Sequence, residues 1–434
     1  MEFRAGSLRA PLAFREERQK LNIHNVGLSS GAPWSNQADL DNLSREVFGV
    51  LGMPLDALDL PAVLRRIDSA VDARAPFLLS TPNVNFLMMS RSDQEFRESL
   101  LMSDFCPVDG MPLVWIARLL GIPIRERVSG SDIFDALRSR EAHDRRLSVF
   151  LFGGAEGVAE NLQHTLNLEE GGLACVGVLN PGFGSISEMS SDSILESINS
   201  SEAALLTVFL SAKKAQGWLL RNHDRLEVPF RAQFGATINW QAGSVKRAPR
   251  WVQRLGFEWL WRVKEEPYLW RRYWNDGLGL LSVVLTCVLP LSVRNLLNRL
   301  TEPGGILTID RKDGQHSVVI NLSGPATSRH TQSAIDCFRS ALEAQKTIVI
   351  DVSNIRMIDP RFFGLLLMLR KGSIRQGSNL EFVGATARIR KMFQLNGFEF
   401  LLDAKSTRQI ASSDNSEINN DEVFVHGTLG TVAL

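Results

Sequence analysis

The sequence predicts an α/β protein: a larger unit with a mostly parallel, doubly wound sheet, and a second, smaller α/β unit after it. Three observations support this fold class. Short apolar runs alternate with longer amphipathic stretches between about residues 50 and 240, a pattern typical of parallel sheets covered by helices. The composition then becomes basic and rich in tryptophan, and a second alternation begins at Ile306. A chain of 434 residues is also too long for one ordinary core.

The predicted strands of the larger unit are short runs of aliphatic and aromatic residues bounded by Gly, Ser or Pro. They are Pro76–Ser80, Ser148–Phe152, Ala174–Val178, Ala204–Leu210 and Ala232–Thr237. Helical periodicity between them predicts helices at Glu95–Met102, Ser131–Arg138, Val158–Leu166 and Lys213–Leu220. Such a Rossmann-like sheet binds its ligands beyond the carboxyl ends of the strands.

Residues 243–300 are predicted to form an appendage. Six of the nine tryptophans fall between Trp240 and Trp274, among eight Lys and Arg residues. The ordinary interpretation is an amphipathic helix pair with a solvated basic face; we favour arginines that neutralise a diphosphate beside tryptophans suited to a membrane interface. The uncharged run from Gly277 to Val293 is shorter than the ~20 residues of a spanning helix and contains Pro290. It predicts an interfacial or docking helix, with a true span as the alternative.

The second unit follows a Gly- and Pro-containing linker at residues 301–305. Its predicted strands are Ile306–Asp310, Ser317–Leu322, Thr347–Asp351 and Asn379–Val383, and its predicted helices are Thr331–Ala344, Phe362–Lys371 and Thr386–Leu395. The predicted organisation is a flexible tail at 1–45, the larger unit at 46–242, the appendage at 243–300, the smaller unit at 304–404 and a second tail at 405–434.

The composition excludes several classes of function. The formal net charge is zero, so no global field attracts nucleic acid. The four cysteines are single and the seven histidines dispersed, which indicates neither a disulfide framework nor a zinc site and fits a reducing compartment. The N-terminal residues contain no apolar signal-peptide region. A dinucleotide-dependent oxidoreductase ranks low because no G-x-G-x-x-G follows a strand. No metal or cofactor is predicted.

Three polar residues follow the first predicted strand and the next apolar stretch. Thr81 and Asn83 lie in the stretch TPNVNF, and Asp109 lies in CPVDGMPLVW. Each has an ordinary alternative: Asn83 can be the N-cap of a helix, and Asp-Gly is a common turn pair. The functional interpretation is a set of hydrogen-bonding groups and a catalytic carboxylate at the edge of the sheet.

Arg127 and a glycine pair point to the same edge. Arg127 precedes a Gly-containing turn in RVSGSDIF, where Ser131 or Asp132 is predicted to cap a helix. Gly153 and Gly154 join a strand to a helix, and backbone N–H groups at such a junction can bind an anion. A Gly-Gly pair alone is often only a tight turn; the convergence of these groups on one sheet edge favours a binding site.

The order of these motifs carries a resemblance. TPNVNF, PVDGMPLVW, RVSGSDIF, FLFGGAEGVAENL, NPGFG, LSAKKAQGWL and GSVKRAPRWVQRLGFEWLWRVKEEPYLWRRY occur in sequence. Over about residues 76–274 the chain resembles the WecG/TagA/CpsF glycosyltransferases, family 26. The resemblance implies transfer of a sugar, often of the N-acetylmannosamine type, from a UDP-sugar to a polyprenyl-diphosphate-linked acceptor. It implies inversion at the anomeric carbon, no metal-binding D-x-D motif, and a peripheral location at the cytoplasmic face of the inner membrane.

The resemblance also implies roles for individual residues. Asp109 matches the general base, and Thr81 and Asn83 match a polar pair near the reacting centre. The implied substrate-binding residues are Arg127, Gly153, Gly154, Lys214, Gln216, Asn239, Arg262, Arg271 and Arg272. The last three match arginines that clamp the departing diphosphate. Two departures leave the donor sugar open: Gln216 stands where many members have Glu, and Asn239 where Asp is common.

The smaller unit resembles a STAS domain, the fold of anti-sigma-factor antagonists. The resemblance rests on IVIDVSNIRMIDPRFFGLLLMLRK and the following LEFVGATARIRKMFQLNGF. In that family the strand ends in a turn whose hydroxyl can be phosphorylated, but the turn at residues 359–364 has no hydroxyl here. The resemblance therefore implies a docking domain for a protein partner or for another copy of the chain.

The sequence thus predicts a peripheral membrane transferase that acts in surface or exopolysaccharide biosynthesis and carries a regulatory STAS domain. Its expected partners are the UDP-sugar, the lipid-linked acceptor and the membrane surface, with no nucleic acid. The alternative is a catalytically weak sensor that binds a nucleotide-sugar and signals through the STAS domain. The altered stretch at residues 211–216 motivates that alternative.

Overall fold

The structure is a computed structural model that describes residues 42–141, 146–235, 237–243, 246–254, 256–301 and 305–403. Nearly all of the predicted N-terminal tail, the predicted C-terminal tail and the centre of the predicted linker lie outside these ranges. Of residues 239, 250, 254 and 298–301 only the backbone is described.

Eleven strands are present in the described part of the chain. They are β1 (Val47–Val50), β2 (Met53–Asp56), β3 (Phe77–Leu79), β4 (Leu147–Gly153), β5 (Leu173–Leu179), β6 (Leu205–Phe209), β7 (Phe230–Gln233), β8 (Thr308–Asp313), β9 (Ser317–Ala326), β10 (Thr347–Ile358) and β11 (Leu380–Val383).

The α-helices of the first unit and the appendage are α1 (Leu60–Asp72), α2 (Val84–Ser92), α3 (Gln94–Met102), α4 (Met111–Leu119), α5 (Gly130–Arg138), α6 (Val158–Leu168), α7 (Asp192–Asn199), α8 (Ala212–Arg221), α9 (Thr237–Gln241), α10 (Arg250–Arg254), α11 (Glu258–Glu265), α12 (Trp270–Val283) and α13 (Leu289–Thr301). Those of the second unit are α14 (Thr331–Glu343), α15 (Pro360–Arg375) and α16 (Ala387–Leu395).

The first unit contains a five-stranded, fully parallel sheet in the order β3-β7-β6-β4-β5. Alternate residues of β4, an interior strand between β6 and β5, enter two different cores: Val149 and Leu151 pack into one, and Phe150 and Phe152 into the other. The sheet is therefore covered on both faces, which explains why its strands are apolar runs. The predicted fold class is confirmed.

The last strand of this sheet is displaced from its predicted position. The sequence predicted a strand over Ala232–Thr237, whereas β7 ends at Gln233. Gly235 adopts a φ of 49° and turns the chain away from the sheet, and Thr237 begins α9. The apolar run continues past the strand because Phe234 packs in the core, so composition alone did not mark the end.

An antiparallel hairpin of β1 and β2 was not predicted. Arg45 precedes it and forms a buried ion pair with Asp56, with Nη2 and Oδ2 2.6 Å apart. Leu43 is also buried. Residues 43 and 45, which the sequence assigned to the tail, therefore belong to the folded part. The polar residues before them hid this short buried segment, whose ion-pair partner lies eleven positions further along.

The appendage ends in a long helix. Residues 267–297 form one continuous helical element, in which five residues of π-helix, Val284–Val288, join α12 to α13. Pro290 follows this π segment; proline lacks an N–H group and cannot continue an ordinary hydrogen-bond ladder. Among the described residues this is the one helix long and apolar enough to cross a membrane by length and composition.

The second unit is a four-stranded sheet in the order β11-β10-β9-β8, with β8 antiparallel to β9 and the other pairs parallel. Its central helix, α15, is buried on almost every side. One side packs on α14, where Phe362 contacts Phe338. The other side packs on β1, where a Cβ atom at Gly364 would lie 2.0 Å from the carbonyl oxygen of Val47. The two units therefore share a packed boundary within one chain.

Candidate active site

The candidate site lies at the carboxyl end of β3. An extended segment, residues 104–109, runs beside this strand and pairs with it through Leu79 and Phe105. The backbone N–H of Asp109 donates to the carbonyl of Pro82 at 2.8 Å. These bonds bring Asp109 next to Asn83, although the two residues belong to different connections of the chain.

Asp109 and Asn83 form a hydrogen-bonded pair. The Asn83 side-chain oxygen accepts from the N–H of Phe86 at 3.2 Å and so caps α2. Its amide group also bonds to the Asp109 carboxyl group. Gly110 follows with a φ of 114°, which an L side chain rarely adopts, and is the N-cap of α4. The Asp-Gly pair is thus both a turn and the device that places the carboxylate, so the two interpretations from the sequence are compatible.

The pKa of Asp109 is shifted towards neutrality. Burial raises the pKa of this half-buried carboxyl to about 7, against the lowering effect of Arg127. The negative charges of Glu258 and Asp132 raise it further, whereas the hydrogen bond from Asn83 lowers it. A carboxyl group with such a pKa can exchange a proton near neutral pH, which is the property of a general base.

Arg127 lies in an ionic cluster that joins the first unit to the appendage. It binds Asp132 at 3.2 Å and forms an ion pair with Glu258 of α11. Arg247 binds Asp132 at 2.6 Å and pairs with Asp135. Each carboxylate therefore has a cationic partner, and the appendage is fixed to α5 beside Asp109.

Asp132 itself is held by Ser129. The Ser129 side chain caps α5, and the Asp132 carboxylate accepts from the Ser129 N–H at 3.2 Å, so the two form a capping box. The sequence had assigned the cap to Ser131 or Asp132. The serine two positions earlier is the cap because α5 begins at Gly130, one residue before the predicted start.

Gly153 and Gly154 occur where β4 leaves the sheet, with φ angles of 93° and 97°. A Cβ atom at Gly154 would lie 3.0 Å from Ile238 of α9, and one at Gly153 would lie 3.1 Å from the carbonyl oxygen of Phe209. The pair therefore lets the chain pass close to its neighbours on the way to the N-terminus of α6. Backbone N–H groups at a helix N-terminus favour negative charge.

The three appendage arginines are distributed along its helices. Arg262 binds Glu266 at 3.0 Å and lies over the Trp240 ring at 5.4 Å. Arg271 and Arg272 are exposed. The helix that carries them is joined to α2 by a 3.3 Å hydrogen bond from Asn85 to Asp276. The appendage thus contacts two elements of the first unit: α2, which Asn83 caps, and α9, which contains Trp240.

The remaining predicted residues have different surroundings. Lys214 donates to the carbonyl of Gly184 at 2.9 Å and holds the loop after β5. Gln216 is fully buried and donates to the hydroxyl of Ser80, the residue that follows β3, at 2.8 Å. Thr81 is buried at the end of β3. The side chain of Asn239 lies outside the described residues. Substrate contact by these four residues stays a prediction.

Sequence analysis missed two members of the site, Glu258 and Gln253. The Gln253 side-chain oxygen lies 3.4 Å from Nη2 of Arg127, and the charge of Glu258 raises the pKa of both Arg127 and Asp109. Neither follows a strand, and the glycine turn between them, in which the Gly256 N–H donates to the Gln253 carbonyl at 3.0 Å, lies in the appendage and gave no signal that links them to the sheet edge. Within the described ranges no group of three or more His, Cys, Asp or Glu side chains could hold a metal ion.

Comparisons with known proteins identify the families of both units. The family model described as "Glycosyl transferase WecG/TagA/CpsF family" matches residues 48–292, and the model "Mlab, STAS domain" matches residues 309–403. A Bacillus subtilis strain 168 protein named N-acetylglucosaminyldiphosphoundecaprenol N-acetyl-beta-D-mannosaminyltransferase is 22% identical over 202 residues, which are 46% of this chain and 77% of the relative. A protein of the same name from Bacillus spizizenii strain W23 is 23% identical over 193 residues, 44% of this chain and 72% of the relative.

Proposed function

Because this chain belongs to the WecG/TagA/CpsF family of glycosyltransferases and carries a STAS domain after the transferase unit, we propose that it moves an N-acetylmannosamine-type sugar from a UDP-sugar to a polyprenyl-diphosphate-linked acceptor. The relatives' names state that they transfer N-acetylmannosamine to an undecaprenol-diphosphate-linked sugar. The product would serve surface or exopolysaccharide assembly. The single observation that carries the proposal is Asp109, a carboxyl group with a pKa of about 7 at the carboxyl edge of the parallel sheet.

In the proposed reaction Asp109 acts as the general base. It takes the proton from the acceptor hydroxyl group while that oxygen forms a bond to the anomeric carbon. The bond from the anomeric carbon to the diphosphate oxygen breaks, and UDP departs with the electron pair from the opposite face, so the configuration inverts. In this proposal Asn83 orients the carboxylate through its hydrogen bond.

The developing charge on the diphosphate requires cationic groups. Arg127 lies close enough to Asp109 to lower its pKa, and it exchanges ion-pair partners among Asp132, Glu258 and a bound phosphate in this proposal. In this proposal the N-terminus of α6, which the turn at Gly153 and Gly154 leads into, supplies backbone N–H groups; the N–H of Gly154 itself donates to the Phe209 carbonyl at 3.1 Å. In this proposal the exposed Arg271 and Arg272 bind the diphosphate when substrate arrives.

A surface of the long helix supports location at a membrane. Its exposed apolar residues recur every three or four positions and form one stripe, the apolar stripe, which consists of Trp270, Trp274, Leu278, Leu281, Leu285, Leu289, Val293 and Leu296. The opposite side of the same helix is buried on the first unit through Val283, Cys287 and Val288. A stripe of this length exceeds the isolated apolar side chains of ordinary protein surfaces. We propose that it lies in the interface at the cytoplasmic face of the membrane, where a lipid-linked acceptor resides.

The sensor alternative is supported by one observation. Gln216 replaces an acidic residue of the family pattern and is buried against Ser80, so it offers no charge to a donor. A protein that binds a nucleotide-sugar without turnover would fit this change.

The test is UDP release by the purified full-length chain in detergent, with a polyprenyl-diphosphate-linked acceptor and a panel of UDP-sugars. We expect turnover with one donor that needs the acceptor and is lost in Asp109→Asn while UDP binding is kept. UDP-sugar binding without turnover by the wild-type chain would instead support the sensor.

A further inference from the structure

The STAS helix α15 makes ionic contacts with the transferase unit beneath the site. Three cations lie along its C-terminal half: Arg370, Lys371 and Arg375. Lys371 is fully buried, and its Nζ donates to the Ser103 carbonyl and to Asp104 Oδ1, both at 2.9 Å. Arg375 binds the same Asp104 oxygen at 3.0 Å. An ammonium group is buried at high cost unless it is paired and hydrogen-bonded, as it is here.

Asp104 also binds β3, the strand whose carboxyl end forms the site. Its second carboxylate oxygen accepts from the N–H of Leu78 at 2.9 Å, and its own N–H donates to the Leu78 carbonyl at 2.7 Å. Leu78 lies in β3, three residues before Thr81 and five before Asn83. Asp104 therefore joins α15 to the strand whose end carries the proposed polar pair.

Asp104 also begins the segment that ends at Asp109. The segment is fastened on both sides: the Phe105 carbonyl accepts from Ser80 at 3.0 Å, and the Cys106 N–H donates to Asp56 at 2.6 Å. At its far end Asp109 donates to Pro82 at 2.8 Å. Between Asp104 and Asp109 the chain is therefore held in an extended form by these bonds, so we expect a displacement at Asp104 to reach Asp109.

We propose that Lys371 of the STAS domain is a positioning residue for the base Asp109, because it fixes Asp104 and through it both β3 and the segment that carries Asp109. This proposal rests on the proposed function of Asp109. The STAS domain is then part of the framework of the transferase site and not a separable module. A second contact of the same helix, Arg370 with Glu98 at 2.6 Å, ends on α3 and not on either segment of the site.

That second contact supplies the matched control. Full-length Lys371→Met, Lys371→Arg and Glu98→Gln are compared with wild type for kcat and KM in the UDP-release assay, for UDP affinity, for Tm and for amide hydrogen exchange. We expect Lys371→Met to lower kcat about 10- to 100-fold, to leave UDP affinity within about twofold, and to speed exchange in residues 78–83 and 104–110. Lys371→Arg should recover part of kcat. Glu98→Gln should keep kcat within about twofold and leave exchange in those residues unchanged, even where its Tm falls.

Equal kcat values and equal amide hydrogen exchange in residues 78–83 and 104–110 for Lys371→Met and Glu98→Gln would overturn the proposal. Lys371 would then be only a contact between the two units. If wild type releases no UDP, the proposed function fails, and the exchange comparison still decides whether Lys371 orders the two segments. Should Lys371→Met not fold, Arg375→Gln removes a second bond to the same Asp104 oxygen, and the same comparison with Glu98→Gln decides.

Discussion

The pKa of Asp109 leads to a sharp prediction for the pH dependence of transfer. A general base acts only when it is ionised. With a pKa of about 7, roughly one Asp109 carboxyl in ten is ionised at pH 6 and one in a hundred at pH 5, whereas an Asp at its ordinary value of 3.8 would be more than about nine-tenths ionised at both. We therefore expect kcat/KM to be level above about pH 8 and to fall about tenfold for each pH unit below 7.

The assay is the initial rate of UDP release at acceptor concentrations below KM, which reports kcat/KM, between pH 5 and 9, with Asp109→Asn as the perturbation. The substitution should lower kcat about 10²- to 10⁴-fold and remove the acid limb. Its Tm at pH 8 should equal or exceed that of wild type. The pKa of Asp109 is higher in the folded state than in the unfolded chain, so its contribution to stability falls as pH rises from about 4 to 7, and the amide lacks that loss.

A wild-type kcat/KM that stays level down to pH 5 would refute the reasoning, because it would show that the base has the low pKa of a solvated carboxyl group. Wild-type activity in Asp109→Asn with an unchanged limb would show that another group is the base.

Two further predictions follow from the charges and the surface. Glu258→Gln removes a negative charge that raises the pKa of Asp109, so the acid limb of this variant should move below pH 7, whereas the limb of Arg127→Gln should move above pH 7. Glu265→Gln, an exposed control on the same helix as Glu258, should leave the limb where it is in wild type. A shift of the same sign in Glu258→Gln and Arg127→Gln would contradict the electrostatic assignment. The double substitution Leu281→Glu and Leu285→Glu on the apolar stripe should lower sedimentation with anionic lipid vesicles about tenfold or more. The control is Leu168→Glu on α6, a leucine that is also exposed and lies outside the stripe. Unchanged sedimentation of the double variant would exclude the stripe as the membrane contact.

Local sequence patterns predicted most of the secondary structure. The strand β4 and the helix α6 lie within two residues of their predicted bounds, because each element has its own repeat of apolar side chains. The family motifs also predicted Asp109 as a site residue. The glycine after it is part of that motif because Gly110 adopts a φ that few other residues adopt. These signals depend only on residues that are close in sequence, so they can be recognised without knowledge of the fold.

The helix α15 shows the limit of such signals. Its run from Phe362 to Leu369 contains apolar residues on every face, which indicates a helix buried all round. The sequence did not say what covers it. The covering element is β1, more than 300 positions away, and the hairpin that contains it was not predicted.

What the sequence by itself determined is the type and order of most of the elements, the family and the candidate carboxylate Asp109. Only the tertiary structure decided that Glu258 faces Arg127, that Gln216 is buried behind β3, and that Lys371 of the STAS domain binds Asp104. The reason is physical: the period of apolar residues fixes which face of an element is buried, but the partner of a buried charge depends on which surfaces meet, and that is set by the packing of the whole chain.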